Sequence, residues 1–116
     1  MPFLFKIRAN GEAIERWEIG NEPVIIGRGE RADVRIEDER LSREHFAILR
    51  DGNAFVISDL DSTNGTWVGG RRISRTELGP NQQIRAGRTI LRFEEGLTSV
   101  MCELENRLDH ATKLLL

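Results

Sequence analysis

"HFAILRDGNAFVISDL", residues 45 to 60, decides the fold class. His45 to Leu49 reads as one strand, Asp51-Gly52-Asn53 as a turn, and Ala54 to Leu60 as the strand that returns. Turn-forming residues between two apolar runs mark a hairpin. The same pattern repeats on both sides. Upstream, Phe3, Phe5 and Ile7 alternate with Leu4, Lys6 and Arg8, and Asn10-Gly11 is the dipeptide most typical of a tight hairpin. Ala13 to Ile19 returns from it, with Ile14, Trp17 and Ile19 as its apolar residues. Asn21-Glu22-Pro23 turns the chain into Val24-Ile25-Ile26, which ends at Gly27, and Val34-Arg35-Ile36 is a further strand. Downstream, Thr66-Trp67-Val68 and Arg71-Arg72-Ile73 flank Gly69-Gly70, while Gln82 to Arg85 and Thr89 to Phe93 flank Ala86-Gly87. This many short, closely spaced strands predict an all-β sandwich over residues 1–95.

Residues 97–116 change period. Leu97, Met101, Leu104, Leu108, Ala111 and Leu115 step by four and three, an apolar stripe with no Pro or Gly inside it. Glu103 with Arg107, and Asp109 with Lys113, are acid-first pairs four apart, each supporting a helix by about 0.2–0.5 kcal/mol. An amphipathic C-terminal α-helix is therefore expected at 97–116. Under three heptads, it is too short for a secure coiled coil by itself. Its expected use is pairing into a homodimer or linking to a larger protein. Cys102 and His110 fall on its outward positions.

A length of 116 residues suits one domain with a single core. The apolar share, 39%, is that of a soluble globular chain, and no stretch is long enough to span a bilayer. Met1 to Lys6 lacks the basic start of a signal peptide, and Lys6 and Arg8 cut its apolar run short. The single Cys102 leaves no internal disulfide and fits a reducing compartment. A cytoplasmic location is expected. Net charge is −2, so no bulk field draws the chain to nucleic acid or to an acidic membrane. Lysine occurs only at 6 and 113; the other basic residues are arginine, whose planar fork suits phosphate and carboxylate.

The residues that carry chemistry cluster in connections between strands: Gly27-Arg28-Gly29, Arg40-Leu41-Ser42-Arg43, Ser62-Thr63-Asn64-Gly65 and Gly69-Gly70-Arg71-Arg72. Functional residues of a sandwich gather in such loops. A Ser42–His45 nucleophile and base is disfavoured, because no Gly-x-Ser-x-Gly elbow surrounds Ser42. Two histidines 65 positions apart and one cysteine offer no metal-ligand spacing, so no metal and no cofactor are expected. Gly27-Arg28-Gly29 lacks the third glycine and the lysine of a nucleotide-binding loop. Anion binding without catalysis remains. Arg28 offers a bidentate fork, Ser42 and Thr63 offer hydroxyls, and a phosphorylated side chain brings about −1.5 to −2 charges and three acceptor oxygens. The Asn64 amide has both a donor and an acceptor, which suits an extended peptide backbone.

The run from Ile25 to Ile73 resembles a forkhead-associated (FHA) domain. The marks are Gly27-Arg28, then Ser42-x-x-His45, then Asp59-Leu60-x-Ser62-Thr63-Asn64-Gly65-Thr66. The resemblance implies an FHA/SMAD-like sandwich of about eleven strands that binds phosphothreonine peptides through loops at one end and has no enzymatic activity. By that likeness Arg28, Ser42, Arg43, Thr63 and Asn64 contact the phosphopeptide, while Gly27, His45 and Gly65 support the loops. Arg40, Arg71 and Arg72 are candidates for reading side chains beyond the phosphothreonine. The implied partner is a Thr-phosphorylated protein, either the substrate of a Ser/Thr kinase or the kinase itself. The alternative is a scaffold or oligomerisation domain of the same fold that no longer reads phosphate. The hairpin after Val68 is often Asn-Gly in the family and is Gly69-Gly70 here, which still permits the turn.

Overall fold

A computed structural model describes residues 2–94. The helix expected at 97–116, with Cys102 and His110, lies outside the described residues. Eleven strands run in chain order: β1 Phe3–Ile7, β2 Ala13–Glu18, β3 Val24–Gly27, β4 Val34–Arg35, β5 Phe46–Asp51, β6 Ala54–Asp59, β7 Thr66–Val68, β8 Arg71–Ile73, β9 Arg75–Leu78, β10 Gln82–Ala86 and β11 Thr89–Glu94. They form two sheets, ordered β2-β1-β11-β10-β7-β8 and β4-β3-β5-β6-β9. The β-sandwich expected from the sequence is the observed architecture.

The central hairpin is β5–β6, with Ile48 opposite Ile57 and Phe46 opposite Asp59. Phe46, Ile48 and Ile57 are wholly buried. Period-2 alternation sends them to one face, where they meet Leu4, Ile84, Leu91 and Phe93 of the other sheet in one continuous core. Full burial of each such side chain is worth about 1.5–3 kcal/mol, and Ile36 and Leu41, from the connection after β4, join the same core.

Three features differ from the sequence reading. β9 is an additional strand, an edge of the second sheet paired with β6. Its sequence, Arg-Thr-Glu-Leu, buries only Leu78 and carries no apolar alternation to announce it. In β1 Leu4 enters the core, facing Trp17 and Phe93, and Ile7 is buried as well; Phe3 and Phe5 point outward beneath the guanidinium groups of Arg16 and Arg92. Ile14 is 41% exposed because it is the extra residue of a bulge, with Lys6 paired to Glu15 and Ile7 to Ala13.

The strand ends place the loops. β3 pairs with β4 in parallel, Ile26 beside Val34, so the chain crosses from Gly27 back to Val34 within residues 28–33. β5 begins at Phe46, β6 ends at Asp59 and β7 begins at Thr66. The connections 28–33, 36–45 and 60–65 therefore share one end of the sandwich.

Candidate functional site

His45 joins the second and third connections to each other and to β3. Its side chain is buried, and its backbone N–H donates to Ile26 O at 2.9 Å while its carbonyl accepts from Leu60 N at 2.9 Å. Nδ1 accepts from the Ser42 backbone N–H at 2.9 Å, and Nε2 lies 2.8 Å from the Gly65 carbonyl. A backbone N–H can only donate, so Nδ1 must be the acceptor and the ring proton sits on Nε2, directed at Gly65. Both ring nitrogens are thus committed to backbone. Ser42 Oγ accepts instead from the Thr63 N–H at 3.1 Å. The serine and histidine are therefore not a nucleophile and its base; the histidine braces the loop that presents the serine.

The other site residues complete the stitching. Arg28 donates its N–H to Ser42 O at 3.1 Å and its Nε to Leu41 O at 2.6 Å. That fixes the planar guanidinium and leaves its terminal amino groups for an anion. Asn64 Nδ2 donates to Arg40 O at 2.8 Å, tying the third connection to the second and leaving the amide oxygen as an acceptor. Ser42 Oγ, used as an acceptor, keeps its own proton to donate. Arg28, Arg40, Ser42, Arg43, Thr63 and Asn64 line one cavity of about 460 Å³, together with Glu39 and Leu41. Three arginines against one glutamate make it cationic.

Close approach explains the glycines. A Cβ at Gly27 would lie 2.1 Å from Arg43 O, so no side chain fits there. At Gly65 φ is +87°, which favours glycine, and a Cβ would come within 2.7 Å of Arg72 Nε, the movable end of a side chain. The same contact places the Arg72 guanidinium across the loop that holds Asn64. Arg71, opposite Val68 on β8, is exposed and does not line the cavity.

Two carboxylates frame the site that the sequence reading did not place in it. Asp59 accepts from the Ser62 hydroxyl at 2.6 Å, the Thr66 hydroxyl at 2.6 Å and the Ser62 N–H at 3.1 Å, and Ser62 Oγ accepts from Gly65 N at 3.0 Å. Asp38 accepts from Arg40 N at 2.9 Å, Arg88 N at 2.8 Å and Thr89 Oγ1 at 2.8 Å, anchoring the second connection to the β10–β11 turn. Burial pushes both carboxyls up, but these donated bonds outweigh it and hold both below the ordinary aspartate value. Asp38 was findable, since Asp38-Glu39-Arg40 is an Asx turn in which the carboxylate meets its own backbone two residues on. Its reach to residues 88 and 89 left no local trace.

The model of the FHA domain matches residues 24–87. FhaA, an FHA domain-containing protein of Mycobacterium tuberculosis, is 41% identical over 63 residues, which are 54% of this chain and 12% of FhaA. The crystal structure of the FhaA FHA domain complexed with the intracellular domain of Rv3910 superposes with a TM-score of 0.73 at 30% identity, covering 81% of this chain and 100% of that one. A structure from a study of phosphothreonine-dependent FHA domain interactions also gives 0.73 at 30% identity, covering 81% and 95%. With the family's residues spanning more than half its length and the same sandwich carrying them, the chain belongs to the FHA domain family.

Proposed function

We propose that this domain binds a threonine-phosphorylated segment of a partner protein and leaves it chemically unchanged. Arg28, Ser42, Arg43 and Thr63 hold the phosphate, and Asn64 holds the adjoining peptide backbone. Gly27, His45 and Gly65 keep the loops in place, and Arg40 and Arg72 flank the path of the peptide. Arg71 stands farther off and contributes least. The observation that carries this reading is the single cationic cavity lined by Arg28, Ser42, Thr63 and Asn64, which come from three separate connections. A doubly charged phosphate ester matches its donors: a guanidinium fork, a free hydroxyl proton and loop N–H groups. The phosphothreonine-dependent interactions of the structural relative support the same chemistry.

The partner is a Thr-phosphorylated substrate of a Ser/Thr kinase, or the kinase itself, in a signalling or assembly step. A cytoplasmic setting fits that role, and among the described residues no helix is long and apolar enough to cross a membrane. Residues 1–95 form the binding domain, and 97–116 serve self-association or linkage. Fluorescence anisotropy with a phosphothreonine peptide library tests the reading. The phosphorylated pool binds, the unphosphorylated pool does not, and Arg28→Ala abolishes the difference. Equal binding of the two pools would refute it.

A further inference from the structure

Beside the notch lies a second cationic cavity, and we propose that it reads a further negative charge on the same segment, a carboxylate or a second phosphate. The inference rests on the phosphothreonine reading above. The cavity is about 560 Å³ and is lined by Arg28, Arg31, Arg35 and Arg43 with Glu30 and Glu44. Arg28 and Arg43 line the notch as well, so the two spaces share a wall. Thr63 and Asn64 line only the notch, and Arg31 and Arg35 only the second cavity. The second cavity therefore continues the notch past Arg28 and Arg43, away from Asn64. Arg40 does not line it, so a charge read here is separate from any that Arg40 reads.

The cavity is built rather than incidental. Gly29 N–H donates to Arg43 O at 3.1 Å, Ala32 N–H to Gly29 O at 3.2 Å, and Arg35 Nε to Arg28 O at 3.2 Å. A Cβ at Gly29 would lie 2.7 Å from the Arg43 Cβ, so the first connection rests directly on the second. Four arginines line it against two glutamates. Among the described residues the ion pairs are Lys6–Glu15, Arg8–Glu12 and Arg92–Glu94, and none involves these four arginines. Unpaired cations converging on one concavity raise the local concentration of anions. An extended peptide advances about 3.3 Å per residue, so its flanking positions step outward from the notch one by one.

The test uses the full chain and a phosphothreonine library carrying Ala, Glu or a second phosphothreonine at each of four positions on either flank. Parent, Arg31→Glu and Arg35→Ala are compared by anisotropy. Arg31 makes no hydrogen bond among the described residues, so its reversal tests charge without loosening the loop, whereas Arg35 also bonds Arg28. On one flank the parent gains about threefold to fivefold from an anion, the upper part of the range for exposed charge pairs. Arg31→Glu removes the gain, while the Ala-flanked phosphopeptide keeps its affinity within about twofold. A gain from the second phosphate alone identifies phosphate as the ligand, and a gain from Glu as well identifies negative charge in general. A phosphopeptide preference with no flanking gain would overturn this inference alone. So would a gain that survives both variants, or an Arg31→Glu loss equal for neutral and anionic flanks. Absence of any phosphate preference would overturn it together with the reading on which it rests.

Discussion

Between Phe46 and Asp59 the chain is held by its neighbours; in the loops that flank this hairpin it is held by atoms far away in sequence. The β5–β6 hairpin pairs six residues against six across the Gly52 turn and buries Phe46, Ile48 and Ile57 beneath it. Connections 28–33 and 60–65 bury little, while 36–45 sends Ile36, Leu41 and His45 inward as anchors. The connections are fixed to one another by hydrogen bonds such as Thr63 N–H to Ser42 Oγ and His45 Nε2–H to Gly65 O. The difference separates two kinds of damage. Loss of hairpin packing should cost stability and spare recognition wherever the domain stays folded. Loss of a loop bond should disturb recognition at a smaller cost in stability.

The largest expected loss of stability is that of Ile57→Ala, about 3 kcal/mol, because it empties a wholly buried position between the sheets. The urea midpoint falls, and phosphopeptide affinity in low urea stays at the parent value. His45→Ala comes next at about 2 kcal/mol, since it strands the Ser42 N–H and the Gly65 carbonyl. It is the substitution that damages both properties, and affinity measured well below its melting temperature is already lost. If His45→Ala lowered only the melting temperature, the separation of hairpin from loops would have to be redrawn with His45 on the hairpin side.

The acid limb sharpens the same comparison. Asp38 and Asp59 have folded values below the ordinary aspartate value of about 4. Under acid conditions the unfolded chain takes up protons that these two folded carboxylates still refuse. Their stabilisation is complete above about pH 4 and drains away as the pH falls through their lowered values. Urea midpoints from pH 6 to pH 2 should fall less steeply for Asp38→Asn/Asp59→Asn than for the parent, and the variant should start lower at pH 6. Parallel curves would mean that these carboxylates do not couple the loops to folding. Arg28→Ala has the smallest effect on stability, under about 1 kcal/mol for one lost bond to Leu41 O. Phosphopeptide binding should nevertheless disappear.

What the sequence disclosed follows the same division. Hairpins at Asn10-Gly11, at Gly52 and at Gly69-Gly70 were legible because turn chemistry and flanking strands are local. β9 was not, because an edge strand with one buried residue needs no apolar pattern. The direction of β1 was not legible either: Phe3, Leu4 and Phe5 are all large and apolar, and only the partners across the sheet decide that Leu4 enters the core. In the site, Arg28, Ser42, His45, Thr63 and Asn64 were visible as residues suited to an anion and its peptide. Their convergence was visible only through resemblance, because bonds such as Asn64 to Arg40 O and Ser42 to Thr63 N–H cross more than twenty positions. Asp38 was legible as an Asx turn to Arg40, but its partners at 88 and 89, fifty residues on, were not.

The most direct measurement is an amide nuclear magnetic resonance titration of the intact chain with a phosphothreonine peptide and its unphosphorylated twin. Convergence of three connections on one phosphate predicts shifts concentrated at residues 28–29, 42–43 and 63–64 with the phosphopeptide and none with the twin. Shifts confined to one of these segments, or the same shifts from both peptides, would contradict it.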